Sequence, residues 1–499
     1  MTIVNSMRWL GGALAIGGLL LLAADRAAAQ TTTGTIRGYV KDSSGAPLAA
    51  AEVQAKNVGT GITRTATTNS DGSYALPGLA PATYDLTTRH IGHSPQARRV
   101  TVQIGSTLLE DFALRAGAIE VAAVLVQVAA PALETRTSEV ATNVTTQQID
   151  RLPTPSRNFL DLAGLAPGVT VTEDRIQGTS RTFSAGGQSA SAVNVFIDGT
   201  SLKNDLTANG VTGQDASRGN PFPRSAIQEY RVISQNFKAE YQKSSSAIIT
   251  ATTKSGTNVW TGSAFFGYQN KGLVALDTFQ RATTGFQKPD YTRSLASFSI
   301  GGPIQRDKLF FFGSYEGNYQ NRSNLVNFAP PSGVFPALDT VNLKQYNGNF
   351  TSPFRETMLF GKLNYAAAPN SALEFSISDR IESDVRDFGN NNCSGFMCAF
   401  NEAVDFAQNV AVGQLRYTRS SGEWLNEAKA VDNAIYAAIA ASDTPSLDSA
   451  MRRLSRAAAL HLALRGLHST PCRFDVLGLD WTGTAWRYTL VRDAFPYTP

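Results

Sequence analysis

Three cysteines and four histidines in 499 residues leave little room for several kinds of chemistry. So few thiols exclude a disulfide-dense scaffold and any cysteine-rich metal cluster. So few imidazoles leave little for metal or acid–base catalysis. Charge is scarce too: Asp, Glu, Lys and Arg make up 17% of the chain, below the roughly 25% usual in soluble domains. With 44 basic against 40 acidic residues the net charge is +4, which excludes a polybasic nucleic-acid binder. No P-loop, His-x-x-Glu or Gly-x-Gly-x-x-Gly pattern occurs. After the first thirty residues no apolar run reaches the roughly 18 residues of a helical membrane span. What is abundant is glycine, 42 residues of it, among many Thr, Ser and Asn. That composition favours strands and turns, over about three domains for this length. It points to a β-rich, extracytoplasmic protein without catalytic equipment, cofactor or metal.

The chain opens with Arg8, an apolar run from Leu10 to Ala24, and the small residues Ala27-Ala28-Ala29 before Gln30. This is a signal-peptide pattern, with the mature chain expected to begin near Gln30. A membrane anchor is the alternative, but Asp25-Arg26 ends the apolar run early.

Residues 30–115 read as a small β-sandwich. Ile36, Gly38 and Val40 share a face, as do Val53 and Ala55, and Val100, Val102 and Ile104. Asp42-Ser43-Ser44-Gly45, Asn69-Ser70-Asp71-Gly72 and Pro77-Gly78 punctuate them as turns. The strings GTIRGYVKDSSGAPLAAAEVQAKN and TNSDGSYALPGLAPATYDLTTRHIGH resemble the carboxypeptidase regulatory-like domain. That resemblance implies a transthyretin-like seven-stranded fold and no activity. His90 and His93 lie close at a strand end, where a metal pair is one reading and solvated loop histidines the favoured one.

Residues 135–257 carry an ordered set: Arg157-Asn158-Phe159, Pro167-Gly168-Val169, Phe196-Ile197-Asp198-Gly199, AIQEYRV, AEYQ and TKSGTN. The residues predict a short helix from Asn158 to Leu165 stopped by Pro167-Gly168. A strand with Val193, Val195 and Ile197 on one face follows, then a hairpin turn at Asp198-Gly199. The whole set resembles the plug of Oar-like TonB-dependent receptors, an α+β domain. In the linker, residues 116–134, Ile119, Glu120, Val121, Val124 and Val126 form an apolar, β-prone segment. It is either an edge strand of the sandwich or an extended peptide free to pair with a partner's sheet edge. The resemblance implies the second, a TonB box, although Ala122-Ala123 interrupt the usual valines.

From residue 258 to 430 the alternation changes. Trp260, Ala264, Phe266 and Tyr268 share a face; Leu309, Phe311, Tyr315 and Tyr319 oppose Ser314, Glu316 and Asn318. Leu363 and Tyr365 oppose Lys362 and Asn364, and Leu373, Phe375 and Ile377 oppose Glu374, Ser376 and Arg380. About seven such segments of about ten residues fit membrane strands with an apolar outside and a polar inside. Plugged barrels need about 22 strands, so a partial, open wall is expected here. Cys393 and Cys398 flank Ser-Gly-Phe-Met in a long loop, as a small disulfide or as two free thiols.

Residues 431–499 turn rich in Ala, Leu and Arg, and a short helical tail is expected, with Thr444 as N-cap and Pro445 in the first turn. VDNAIYAAIAASDTPSLDSAMRRLSRAA resembles the leader of membrane phosphatases of the PAP2 family, without that family's catalytic motifs. LHLALRGLHSTPCRFDVLGLDW resembles the end of the YraN-like nuclease-fold family, again without its site. A fused or chimeric tail is one reading and a divergent receptor end the other, since Trp486, Tyr488 and Leu490 alternate like a strand.

The fold class that follows is mainly β: sandwich, α+β plug, partial outer-membrane wall and tail. The function the resemblance implies is energy-coupled uptake through the outer membrane. Its partners would be a TonB-like protein, membrane lipid and an unidentified small ligand, peptide or saccharide, with no nucleic acid. The alternative is a soluble periplasmic or cell-surface binding protein built from sandwich and plug.

Overall fold

A computed structural model describes residues 32–117, 125–127, 138–154, 157–173, 181–188, 192–203, 217, 219–238, 241, 244–276, 278–282, 288–326, 343–368, 370–386, 388–389, 399–421, 424–441, 476–481 and 486–491. The signal-peptide residues, most of the linker, Cys393, Cys398 and residues 442–475 lie outside them.

The first unit is built from β1 (Gly34–Asp42), β2 (Glu52–Asn57), β3 (Thr63–Thr67), β4 (Ser73–Leu79), β5 (Ala82–Arg89), β6 (Gln96–Val102), β7 (Thr107–Leu109) and β8 (Phe112–Leu114). One sheet runs β4–β1–β7, with β8 also on β1. The other runs β3–β2–β5–β6 and ends on β9 (Leu125–Gln127). The period-two pattern works as read: Ile36, Val40, Val53, Ala55, Leu86, Val100 and Val102 are buried between the sheets. Each such aliphatic side chain contributes about 1.5–3 kcal/mol when fully buried. The turns are set by side chains: Asp42 accepts from the Ser44 and Ala46 amides at 2.8 and 2.9 Å.

The second unit holds β10 (Val140–Val144), β11 (Val169–Glu173), β12 (Arg181–Ala185), β13 (Asn194–Ile197), β14 (Thr200–Ser201), β15 (Ile227–Gln235) and β16 (Ile248–Thr253). Its sheet has the order β10–β15–β16–β13–β14, with β13 and β16 parallel. A helix at Thr146–Arg151 starts in a capping box between Thr145 and Gln148. The expected helix at Asn158–Leu165 is a 3-10 helix, Phe159–Leu165, whose N-cap Asn158 accepts from the Leu160 amide at 3.0 Å. Asp198 and Gly199 both have positive φ, 46° and 73°, as a two-residue hairpin turn requires. The one-sided burial read for β13 does not hold. All four of its residues are buried, because Phe196 packs with Ile233, Tyr241 and Ile248 while Val195 and Ile197 face the main plug core.

The third unit is one antiparallel sheet in sequence order: β17 (Thr261–Asn270), β18 (Tyr291–Gln305), β19 (Leu309–Val326), β20 (Gly348–Ala368), β21 (Ser371–Arg386), β22 (Val404–Ser421) and β23 (Trp424–Ala441). The seven strands match the expected number, and among the described residues β17 and β23 do not meet, so the sheet is open. The strands reach 21 residues in β20, about twice the expected length, because the ladders continue past the apolar band. The expected boundary at Ala430 is wrong: Val431 to Ala441, read as helical, continue β23, with Val431 opposite Gln414 and Ala441 opposite Val404. Alanine is the best helix former, but intrinsic propensity yields to tertiary context, and the long edge of β22 supplies backbone hydrogen-bond partners along this whole segment. The tail's described part is a hairpin of β24 (Val476–Trp481) and β25 (Trp486–Val491), with the alternating Trp486, Tyr488 and Leu490 on its second strand, and the helix expected from Thr444 and Pro445 lies outside the described residues.

Candidate functional site: the plug against the wall

The alternation along the wall strands separates two chemistries. Phe375 and Ile377 are 44% and 51% exposed on the outer face, with Phe298, Leu359, Leu363 and Leu415 beside them. On the inner face Glu316, Asn318, Glu356, Lys362, Arg380, Glu382 and Gln414 are buried. From Leu309 to Tyr319 the outer face of β19 covers eleven residues, ten steps along the strand. At about 3.4 Å per residue and a tilt near 45°, that is about 24 Å, close to the roughly 25 Å apolar band of an outer-membrane wall. The strands are joined at one end by the short runs 306–308, 369–370 and 422–423, and at the other by 271–290, 327–347 and 387–403. Short turns face the periplasm in such walls. The sandwich sits at that end: Asn258 Nδ2 donates to the Thr60 carbonyl at 2.8 Å, and Arg64 reaches Ser420 at 3.4 Å.

Three polar clusters tie the plug to the inner face. In the first, Lys362 Nζ bridges Asp198 Oδ2 of the plug turn at 3.3 Å and Glu374 Oε2 of the wall at 3.2 Å, and donates to Thr253 Oγ1 at 2.9 Å. Arg416 closes on Glu374 at 2.8 Å. Gln414 Nε2 and Lys429 Nζ donate to the Asp198 carbonyl at 3.1 and 2.9 Å. Burial would raise the Asp198 carboxyl. Lys362 and then Arg416, helped by the Thr253 donors, outweigh it and hold that carboxyl below its ordinary value. In the second cluster Arg380 holds Glu356 at 3.1 Å and Glu382, and donates to Ser217 Oγ at 2.7 Å and the Asn220 carbonyl at 2.8 Å. A Cβ at Gly219 would lie 2.1 Å from Glu356 Oε1, so any other residue there would displace that carboxylate from its place beside Arg380. In the third, Arg157 pairs with Glu316 at 3.2 Å and lies 4.2 Å over the Phe265 ring. An apolar seam runs beside them, with Phe222 edge-on to Phe360 at 5.3 Å. A cavity of about 40 Å³ remains between Asp198, Phe222, Arg380 and Gln414. It has room for a few waters and not for a ligand of ordinary size.

A separate contact joins sandwich to plug. Glu229 Oε1 accepts from the Ile104 amide at 2.5 Å, and Asn143 Nδ2 donates to Gln103 Oε1 at 2.7 Å. Burial pushes the Glu229 pKa up to about 7, against the pull of the Ile104 amide.

Of the segment expected to meet a partner, Val126 lies in β9, parallel to β6 and opposite Arg98. Ile119, Glu120, Val121 and Val124 lie outside the described residues, as do Cys393 and Cys398. The plug–wall clusters were missed from sequence. Asp198 reads only as a turn residue, and Lys362, Glu374 and Arg380 only as the polar side of a strand. The available signal was the recurrence of charge of both signs at inward positions.

Residues 35–115 match the carboxypeptidase regulatory-like domain, 134–248 the TonB-dependent receptor plug domain, and 252–370 an outer membrane beta barrel domain. Three family models thus cover adjoining stretches of the chain, a regulatory-like domain, a plug domain and a barrel domain, in that order. The chain is 25% identical over 320 residues to the TonB-dependent transporter Oar of Myxococcus xanthus, covering 62% of this chain and 28% of that protein. Among solved structures it is similar to the outer membrane transporter YddB of Escherichia coli. There the identity is 14% and the TM-score 0.44, over 60% of this chain and 39% of that one. It is also similar to the siderophore receptor PirA of Acinetobacter baumannii, at 16% identity and a TM-score of 0.37, over 60% of this chain and 44% of that one. The chain therefore spans less than a third of the length of that transporter. The family matches stop at residue 370, and the resemblance of residues 431–499 to phosphatase and nuclease-fold families finds no support in them.

Proposed function

We propose that the chain serves energy-coupled uptake across the outer membrane, with a TonB-like protein pulling on the segment from Ile119 to Val126. The observation that carries this reading is the plug seated on the wall's polar inner face and held there by buried ion pairs. Such pairs add little net stability, but breaking one partner away costs about 3–5 kcal/mol. A plug held this way stays shut until mechanical work is done on it. The sandwich, for which we propose a transthyretin-like topology, sits at the short-turn end, the side on which a periplasmic partner works. The carried ligand is a small molecule, peptide or saccharide, and nucleic acid has no place in this reading. A loop disulfide between Cys393 and Cys398 completes the proposal.

The test is crosslinking of the membrane-embedded chain to the C-terminal domain of a TonB-like protein. Proline at Val121 or Val124 removes a ladder donor and should abolish the crosslink. Undiminished crosslinking in both variants refutes the coupling segment. Recovery of the native chain from cells without detergent would favour the soluble binding protein instead.

A further inference from the structure

The turn that follows β5 carries two of the four histidines of the chain and belongs to neither the plug nor the coupling segment. It runs His90-Ile91-Gly92-His93. The His93 amide donates to the His90 carbonyl at 3.1 Å, and Gly92 takes φ of 81°, which is open to glycine at little cost. The turn is pinned from the other side. The Ser94 amide donates to the Arg115 carbonyl at 2.9 Å, the Gly117 amide to the Gly92 carbonyl at 3.3 Å, and His93 bridges to Ala116. Backbone bonds alone thus fix the first and fourth positions of the turn side by side. The two imidazoles meet edge to face, with centroids 4.9 Å apart and Nδ1 facing Nδ1 at 3.0 Å. The Ile91 carbonyl oxygen lies 3.3 Å from the same His93 nitrogen. Independently solvated histidines would not converge in this way.

We propose that His90 and His93 form a binding site for a borderline divalent transition ion, Cu(II) above Ni(II) and Zn(II). Two nitrogens 3.0 Å apart, each about 2.0–2.1 Å from one ion, subtend roughly 95° at it. That angle belongs to a tetragonal site, the preference of Cu(II) and Ni(II) with nitrogen donors, and Cu(II) heads the affinity order for such ligands. Both histidines are only half-buried, so solvent can fill the remaining positions. The bland alternative is a hydrogen bond from one ring nitrogen to the other. It uses the same contact and takes no metal.

The full chain in detergent, with its three cysteines alkylated, is titrated with Cu(II) in a non-coordinating buffer and followed by calorimetry and electron paramagnetic resonance. One ion per chain is expected, with splitting from two nitrogens, and H90A or H93A should each weaken binding at least tenfold. Substituting the other two histidines, H461A with H468A, should leave it unchanged. The backbone bonds of the turn do not involve the rings, so the metal-free melting temperature of H90A and H93A should match the parent. The proposal is overturned if the double variant H90A/H93A binds as tightly as the parent. It is equally overturned if binding vanishes with H461A/H468A, or if no stoichiometric ion is taken up.

Discussion

Glu229 offers a pH dependence that can be worked out from the contact between sandwich and plug. The residue is 8% exposed, and its carboxyl accepts one amide from Ile104 and has a pKa of about 7 against an ordinary 4.5. The charged groups nearby on the plug are Arg231, two residues along the same face, and Glu139, which pairs with Arg231 at 3.3 Å. The sandwich turn that covers Glu229, Gln103 to Ser106, brings none. A carboxyl whose pKa is raised in the docked state binds its proton more tightly there. Docking is therefore strongest below pH 4.5, weakens as pH climbs, and is weakest above about 7. The difference of about 2.5 units corresponds to about 3 kcal/mol as an upper figure. Glu229→Gln keeps an acceptor for the Ile104 amide but never ionises. At pH 8 it should hold the sandwich on the plug more tightly than the parent, and at pH 4.5 about equally. Hydrogen exchange at the Ile104 amide, corrected for intrinsic rates, reads this directly: protection should fall with pH in the parent and stay level in the variant. Equal pH profiles in the two proteins would refute the argument, and so would a parent whose protection rises with pH.

Three further outcomes are expected. Lys362→Met takes from the buried Asp198 carboxylate its ion-pair partner, while Glu374 keeps Arg416, and should loosen the plug by about 3–5 kcal/mol, measured as protease sensitivity of the 198–203 turn in urea. Gly38→Ala would place a Cβ 1.8 Å from the Glu110 carbonyl oxygen, so the sandwich should lose at least about 1–3 kcal/mol and melt earlier by calorimetry. Ile377→Arg, on the outer face, should cost about 2–4 kcal/mol in lipid vesicles, read from the urea midpoint of tryptophan fluorescence.

The parts of this fold that are local were open to reading. Alternation at Ile36 and Val40, the Asp198-Gly199 turn, and the two faces of β21 all follow from side-chain period and turn chemistry within a few residues. What could not be read depends on distant partners. Alanine-rich Val431 to Ala441 looks helical until β22 is known to lie beside it. The burial of both faces of β13 needs the enclosing elements, and the pairing of Lys362 with Asp198 needs the plug's orientation within the wall. His90 and His93 were visible as neighbours in sequence, but only the turn and its anchor at Ala116 bring their nitrogens into register.

The sheet order of the wall has a consequence for how it forms. Every strand from β17 to β23 pairs only with its neighbours in the chain, through connections that are short relative to the whole. Closing each new loop therefore costs little more than the last, since loop entropy grows only with the logarithm of length. The ladder can extend one hairpin at a time, in the order in which the polypeptide emerges. Arg380 and Arg416 find carboxylates within the wall, but Lys362 meets Asp198 and Glu316 meets Arg157 only if the plug, which precedes them in the chain, is already folded when they arrive. The plug is in this sense the template on which the wall is laid down, and a lesion that delays plug folding should appear first as a defect in assembling strands it does not itself contain.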